Sequence, residues 1–143
     1  LSSQSVRGAA AMNIIIVGVI YSLLLRRLNH PQGVAYFCNR VFHDIMPPAF
    51  LLYWWLTLER GALRVSDVPK WMVFPLVYMV YTLGRGAVTG RYTYEFLDVT
   101  TLGYPTVLTN AAGIIVAFVA VAMALVLVSK LKGPTNGEAT AAS

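Results

Sequence analysis

Charge is scarce in this chain. Only 12% of its 143 residues are Asp, Glu, Lys or Arg, where a soluble domain carries about 25%. There is a single cysteine, Cys38, which excludes an intramolecular disulfide and a multi-cysteine metal site. The two histidines, His30 and His43, stand apart from each other and from other ligand types at metal-binding spacing, so no metal is expected. Glycine-rich phosphate loops and a serine elbow of the G-x-S-x-G type are missing, and no cofactor is expected. The formal charge of +5 is scattered among apolar segments. No basic stripe with interleaved aromatics forms, which excludes nucleic acid as a partner. No internal repeat is visible, which argues against a repeat-built transporter.

What the chain has in quantity is apolar surface, 57% of its residues. A water-soluble core of this size cannot absorb so much, so the expected class is an integral, multi-pass membrane protein, all-α, in the plasma membrane if the chain is bacterial. Its partner is then membrane lipid. About four spans are expected. The first covers Ala9 to Leu25, between Arg7 and the pair Arg26 and Arg27. The second covers Ala35 to Leu58 and ends on Tyr53, Trp54 and Trp55, aromatics that favour the membrane interface. The third covers Trp71 to Leu83 or a little beyond, with Pro75 near its start, and the last covers Thr106 to Val128. The stretch from Gly84 to Tyr104 is too polar for lipid and too aromatic for a solvated loop, and is expected as an interfacial or re-entrant segment. Residues 1–130 form the bundle and 131–143 a disordered tail. The chain opens on Leu1 without a signal-peptide pattern, so it is expected to start inside a longer protein. Positive-inside counting favours the side holding Arg7, Arg60, Arg64, Lys70, Lys130 and Lys132 as cytoplasmic.

Ionisable groups at membrane depth cost on the order of 3 kcal/mol each, so they point to function. His43 and Asp44 lie in the middle of the second span. Asn39 and His43 are four apart and share a helix face; so are Arg40 and Asp44, which can neutralise each other. Pro47 and Pro48 remove two backbone donors and free carbonyls one turn earlier, around His43 and Asp44, so a kink and a pocket are expected there. Tyr78, Tyr81, Thr82 and Arg85 in the third span, and Thr106, Thr109, Asn110 and Gly113 in the last, are expected to face the bundle interior. Arg91, Tyr92, Tyr94, Glu95 and Asp98 add polar groups between them. Each set also has a plain structural reading: a packing histidine, a structural ion pair, helix–helix glue and interfacial tyrosines.

Two stretches resemble the androgen-induced-gene family of integral membrane proteins and its bacterial relatives. In NRVFHDIMPPAF, residues 39 to 50, Asn39, His43 and Pro48 match the family's Asn or His, its following His, and the Pro five residues later. In VTGRYTYEFLDV, residues 88 to 99, Phe96, Leu97 and Asp98 match its aromatic motif, with Glu95 where the family has Pro. GVIYSLLLRR and WMVFPLVYMVYTLGRG also fit, so the likeness covers most of residues 14 to 110. The resemblance implies a threonine hydrolase that cleaves fatty acid esters of hydroxy fatty acids, with His43 as the base and a fatty acyl substrate. It places the nucleophilic Thr on a helix upstream of the first span. This chain has no Thr before Thr57, so an upstream helix is expected to be lacking here; without it the reading turns away from hydrolysis. A Thr hydroxyl needs an adjacent base to become nucleophilic, and neutral imidazole is suited to that. Asn39, Asp44, Tyr94 and Asp98 are candidate orienting or binding residues, and Arg91 a candidate for a fatty-acid carboxylate. The alternatives are a small transport or channel protein, with His43, Asp44 and Arg85 along a polar path, and a non-catalytic membrane scaffold.

Overall fold

Apolar runs of this length form helices because lipid leaves the backbone no other partner. The computed structural model describes residues 2–26 and 31–132, and among these there are helices and no strands. Helix α1 (Ser3–Ile20) is capped by the Ser2 hydroxyl and continues into a π-turn, Tyr21–Leu25. Helix α2 (Gly33–Arg40) passes through a second π-turn, Val41–Ile45, into α3 (Met46–Thr57). Helix α4 spans Val68–Thr89, and α5 spans Val99–Leu131 with one non-helical residue, Gly103.

Three helical stretches are long and apolar enough to cross a bilayer: Ser3–Leu23, Val65–Thr89 and Val99–Leu131. Large apolar side chains such as Phe37, Phe42, Leu56, Val80 and Val88 lie exposed on the outer faces. A soluble monomer does not tolerate such a continuous apolar exterior, whereas lipid covers it without cost. The chain is an all-α bundle of the integral-membrane type.

Helix α1 packs on α3 and α5, and α4 packs on α5. The main core joins Met12 and Ile16 of α1, Trp54 of α3, Trp71 and Met72 of α4, and Phe118 and Ala122 of α5. A smaller cluster of Leu97, Val107 and Ala111 closes the other end. Polar contacts tie together the end holding the 58–67 loop. Trp71 Nε1 donates to Ser5 Oγ at 3.0 Å, Gln4 Nε2 donates to the Thr57 carbonyl at 3.1 Å, and Leu63 N donates to Ser129 Oγ at 3.2 Å. Lys132 Nζ donates to the Trp55 and Leu58 carbonyls, each at 2.6 Å, where α3 ends with unpaired acceptors. The start of α1, the 58–67 loop and the end of α5 therefore share one side.

The structure redraws several boundaries. The stretch expected as an interfacial or re-entrant segment from Gly84 to Tyr104 is mostly helix. Helix α4 runs on to Thr89 and α5 begins at Val99, leaving 90–98 as a connection with a short 3-10 turn, Glu95–Leu97. Small and β-branched residues there continue α4 until Gly90, whose φ of 68° stops it with Gly90 N on the Gly86 carbonyl at 2.9 Å. The third and last spans are accordingly longer than their apolar cores. Trp54, expected at the interface, is buried, while Trp55 lies exposed under Lys132. The expected tail lies outside the described residues from 133 on, as do Arg27 and His30.

The α1–α4 contact depends on Gly8, where an added Cβ would lie 2.8 and 2.9 Å from the Trp71 ring and 3.1 Å from Leu63. Gly8→Ala is expected to destabilise the bundle by about 1–3 kcal/mol through overpacking, read by reversible unfolding in mixed detergent micelles. Unchanged stability would show that the two helices do not meet there.

Candidate functional site

The two π-turns face one another. In a π-turn the N–H reaches back five residues instead of four, which widens the helix and marks many functional sites. Arg26 N bonds the Tyr21 carbonyl at 2.8 Å, and Met46 N bonds the Val41 carbonyl. The second turn follows from sequence: Pro47 and Pro48 have no N–H, so the His43 carbonyl loses its donor at both the fourth and fifth positions.

The rings of Tyr21 and His43 stack across this junction, with centroids 3.8 Å apart and planes 23° from parallel. The Asn39 amide donates to the Tyr21 hydroxyl, and His43 Nδ1 lies 3.0 Å from the Asn39 carbonyl oxygen. A carbonyl only accepts, so Nδ1 carries the proton. In the neutral ring Nε2 is then the basic nitrogen, and it has no hydrogen-bond partner among the described residues.

His43 lies on the wall of a cavity of about 320 Å³, at the small end of ligand pockets. The wall is mainly apolar, with Ile16, Val17, Phe74, Met79, Ile114 and Phe118. Its polar members are Asn13, Tyr21, His43, Tyr78, Thr82 and Tyr94. Thr82 is buried and donates to the Met79 carbonyl at 3.0 Å. Tyr94 stacks on Phe96, and its hydroxyl lies 3.4 Å from that of Tyr78. Burial, then the Tyr78 hydroxyl, push Tyr94 up to about 12, so it stays a neutral hydroxyl at physiological pH. His43 also borders an open groove between α1 and α3, beside Gly18, Ser22, Pro47 and Leu51.

The structure thus brings together Asn39, His43 and Tyr94 and sets the other candidates apart. Asp44 does not orient the imidazole. It pairs with Arg40 at 2.6 Å and with Arg26, because adjacent helical residues point in different directions. Asp98 is not an orienter either: it caps α5, accepting from Thr100 N at 2.8 Å and from Thr100 Oγ1 at 2.5 Å. Arg91 is exposed, and its backbone meets Thr89 Oγ1, the N–H donating at 3.3 Å and the carbonyl accepting at 3.4 Å. Arg85 is exposed and reaches Thr93. Of the last-span set, Asn110 turns inward and donates to the Phe96 carbonyl at 2.8 Å, whereas Thr106, Thr109 and Gly113 are exposed. Tyr21 and Arg26 escaped the sequence reading, because a tyrosine and an arginine at a span end look like interfacial anchors. The signal for Tyr21 is spatial, not sequential.

No protein-family model, characterised protein or solved structure matches this chain.

The hydrogen bond from Thr100 Oγ1, ahead of those from the Thr100 and Thr101 backbone, holds the Asp98 carboxyl below the ordinary Asp value. Its cap is therefore complete above about pH 3.9 and fades as pH falls through the lowered value. Asp98→Asn keeps an acceptor but cannot titrate. Unfolding measured down to acid pH should show a steeper loss for the wild type than for this variant; identical acid limbs would remove Asp98 from the account.

Proposed function

We propose that this protein is an intramembrane hydrolase of lipid esters, in which the cavity takes a fatty acyl chain and His43 is the general base. The observation that carries the proposal is the imidazole itself. Its Nδ1 proton is fixed on a backbone carbonyl, its basic Nε2 has no partner among the described residues, and it borders an apolar hollow. That is the arrangement needed to draw a proton from a hydroxyl nucleophile or a water beside a lipid ester. The resemblance to the androgen-induced-gene family supports the same chemistry, with the nucleophilic Thr on a helix preceding α1. A substrate already dissolved in the bilayer reaches such a site without being extracted into water. The transport reading has less support, since Asp44 and Arg85 are absent from the cavity wall.

His43→Ala should abolish both turnover of a long-chain ester and labelling by a fluorophosphonate probe, while the protein still inserts and folds. Thr82→Val should leave both within about twofold, since the Thr82 hydroxyl already donates to the Met79 carbonyl. Turnover that persists in His43→Ala would end the proposal; labelling lost in Thr82→Val would move the nucleophile to Thr82.

A further inference from the structure

Three cations gather where the 58–63 loop meets the end of α5. Helix α3, 12 residues and about 18 Å long, separates this seam from His43. Gly61 N donates to the Ser129 carbonyl at 2.8 Å and Leu63 N to Ser129 Oγ at 3.2 Å. These bonds set the backbone of Arg60, which precedes Gly61, beside that of Lys130, which follows Ser129. Lys132 lies two residues further on. Its Nζ is held at 2.6 Å by the Trp55 and Leu58 carbonyls and sits 5.3 Å from the centre of the Trp55 ring. The dipole at the end of α3 offsets part of the Lys132 charge. Arg60 and Lys130 are exposed, and among the described residues none of the three cations forms an ion pair. The two ion pairs there both belong to Asp44, at the other end of α3. Three cations and the adjacent Glu59 leave a net charge of +2. The helix ends that carry this charge are apolar outside, with Trp55, Leu56, Leu127 and Leu131 exposed.

We propose that Arg60, Lys130 and Lys132 form a binding site for the phosphate of an anionic phospholipid, whose acyl chains lie against the ends of α3 and α5. Arg and Lys hold phosphate oxygens through charge-assisted hydrogen bonds. Lysines at span ends reach the headgroup level, the depth that an exposed Trp such as Trp55 also prefers. Cations without a protein carboxylate take their counter-charge from outside the chain. The exposed apolar surface beside them selects an anion that carries its own hydrocarbon over a soluble one. The two bonds to Ser129 make the spacing of Arg60 and Lys130 a property of the packed bundle, so the site is formed before the lipid arrives. It stands apart from the cavity and does not depend on the hydrolase reading.

The test compares two lipids with the same chains and different charge. Apparent dissociation constants for dioleoyl phosphatidylglycerol and dioleoyl phosphatidylcholine would be measured on the full chain by native mass spectrometry from a non-ionic detergent. The wild type should bind the anionic lipid about tenfold more tightly. The double variant Arg60→Gln, Lys130→Gln should shrink that preference to about twofold while phosphatidylcholine binding stays the same. Both side chains are exposed, so the variant keeps its fold; Lys132 is left in place because it also caps α3. Arg85→Gln, an exposed arginine near the far end of α4, should keep the full tenfold preference. Equal binding of the two lipids by the wild type would overturn the site. A loss in Arg85→Gln as large as in the double variant would also overturn it, since the preference would then follow overall charge. If glycerol 3-phosphate displaces phosphatidylglycerol at equal concentration, the cations hold a soluble anion and the lipid assignment fails.

Discussion

The contact between the rings of Tyr21 and His43 joins the two places where this bundle departs from α-helical hydrogen bonding. Each departure has a cost in a membrane, where a backbone group without a partner finds no water to replace it. Near His43 the carbonyl deficit is written into the chain by Pro47 and Pro48. The π-turn at Val41–Ile45 redistributes the remaining bonds, and the imidazole takes up the Asn39 carbonyl. Asn39 in turn holds the Tyr21 hydroxyl, so the side chains couple α1 to the α2–α3 segment where their backbones are least regular. Cavity, groove and charge cluster all adjoin this junction.

Electrostatics follow the same geometry. An isolated carboxylate near membrane depth would be strongly unfavourable. Asp44 avoids this by taking a partner from its own helix, Arg40, and another from the end of the first π-turn, Arg26. The pairing also leaves the imidazole free of a carboxylate. Here a backbone carbonyl, not an acidic side chain, fixes the ring tautomer, and that leaves the site without a buried negative charge. An apolar cavity can then lie directly against the histidine.

The helical class, the multi-span organisation, the Arg40–Asp44 pair and the hollow beside His43 were legible in the sequence. Each depends on local spacing or on bulk composition: four-residue separation, adjacent prolines, long apolar runs. The misreadings share one cause. Residues 84–89 look polar enough to leave the membrane, yet nothing in them stops a helix before Gly90, so α4 continues. Asp98 looks like a site acid because it belongs to a motif, but it stands immediately before α5, where orphan N–H groups attract it more strongly than a distant imidazole. Tyr21 and Arg26 acquire their roles only when the 21–26 and 39–44 segments meet, and no single-chain periodicity encodes that meeting.

A histidine that serves only to pack helices would be expected to satisfy both ring nitrogens or to bury both faces in a solid interior. His43 does neither. One nitrogen is fixed and the other has no partner among the described residues, one ring face is covered by Tyr21, and the residue borders both a hollow and a groove. Filling the hollow would be simple for evolution, since a larger residue at any of several cavity positions would gain about 25 cal/mol for each Å² of apolar area buried. Leaving it open forgoes that stability. An acyl chain, the ligand proposed for this site, would bury the same apolar wall and recover part of the stability forgone.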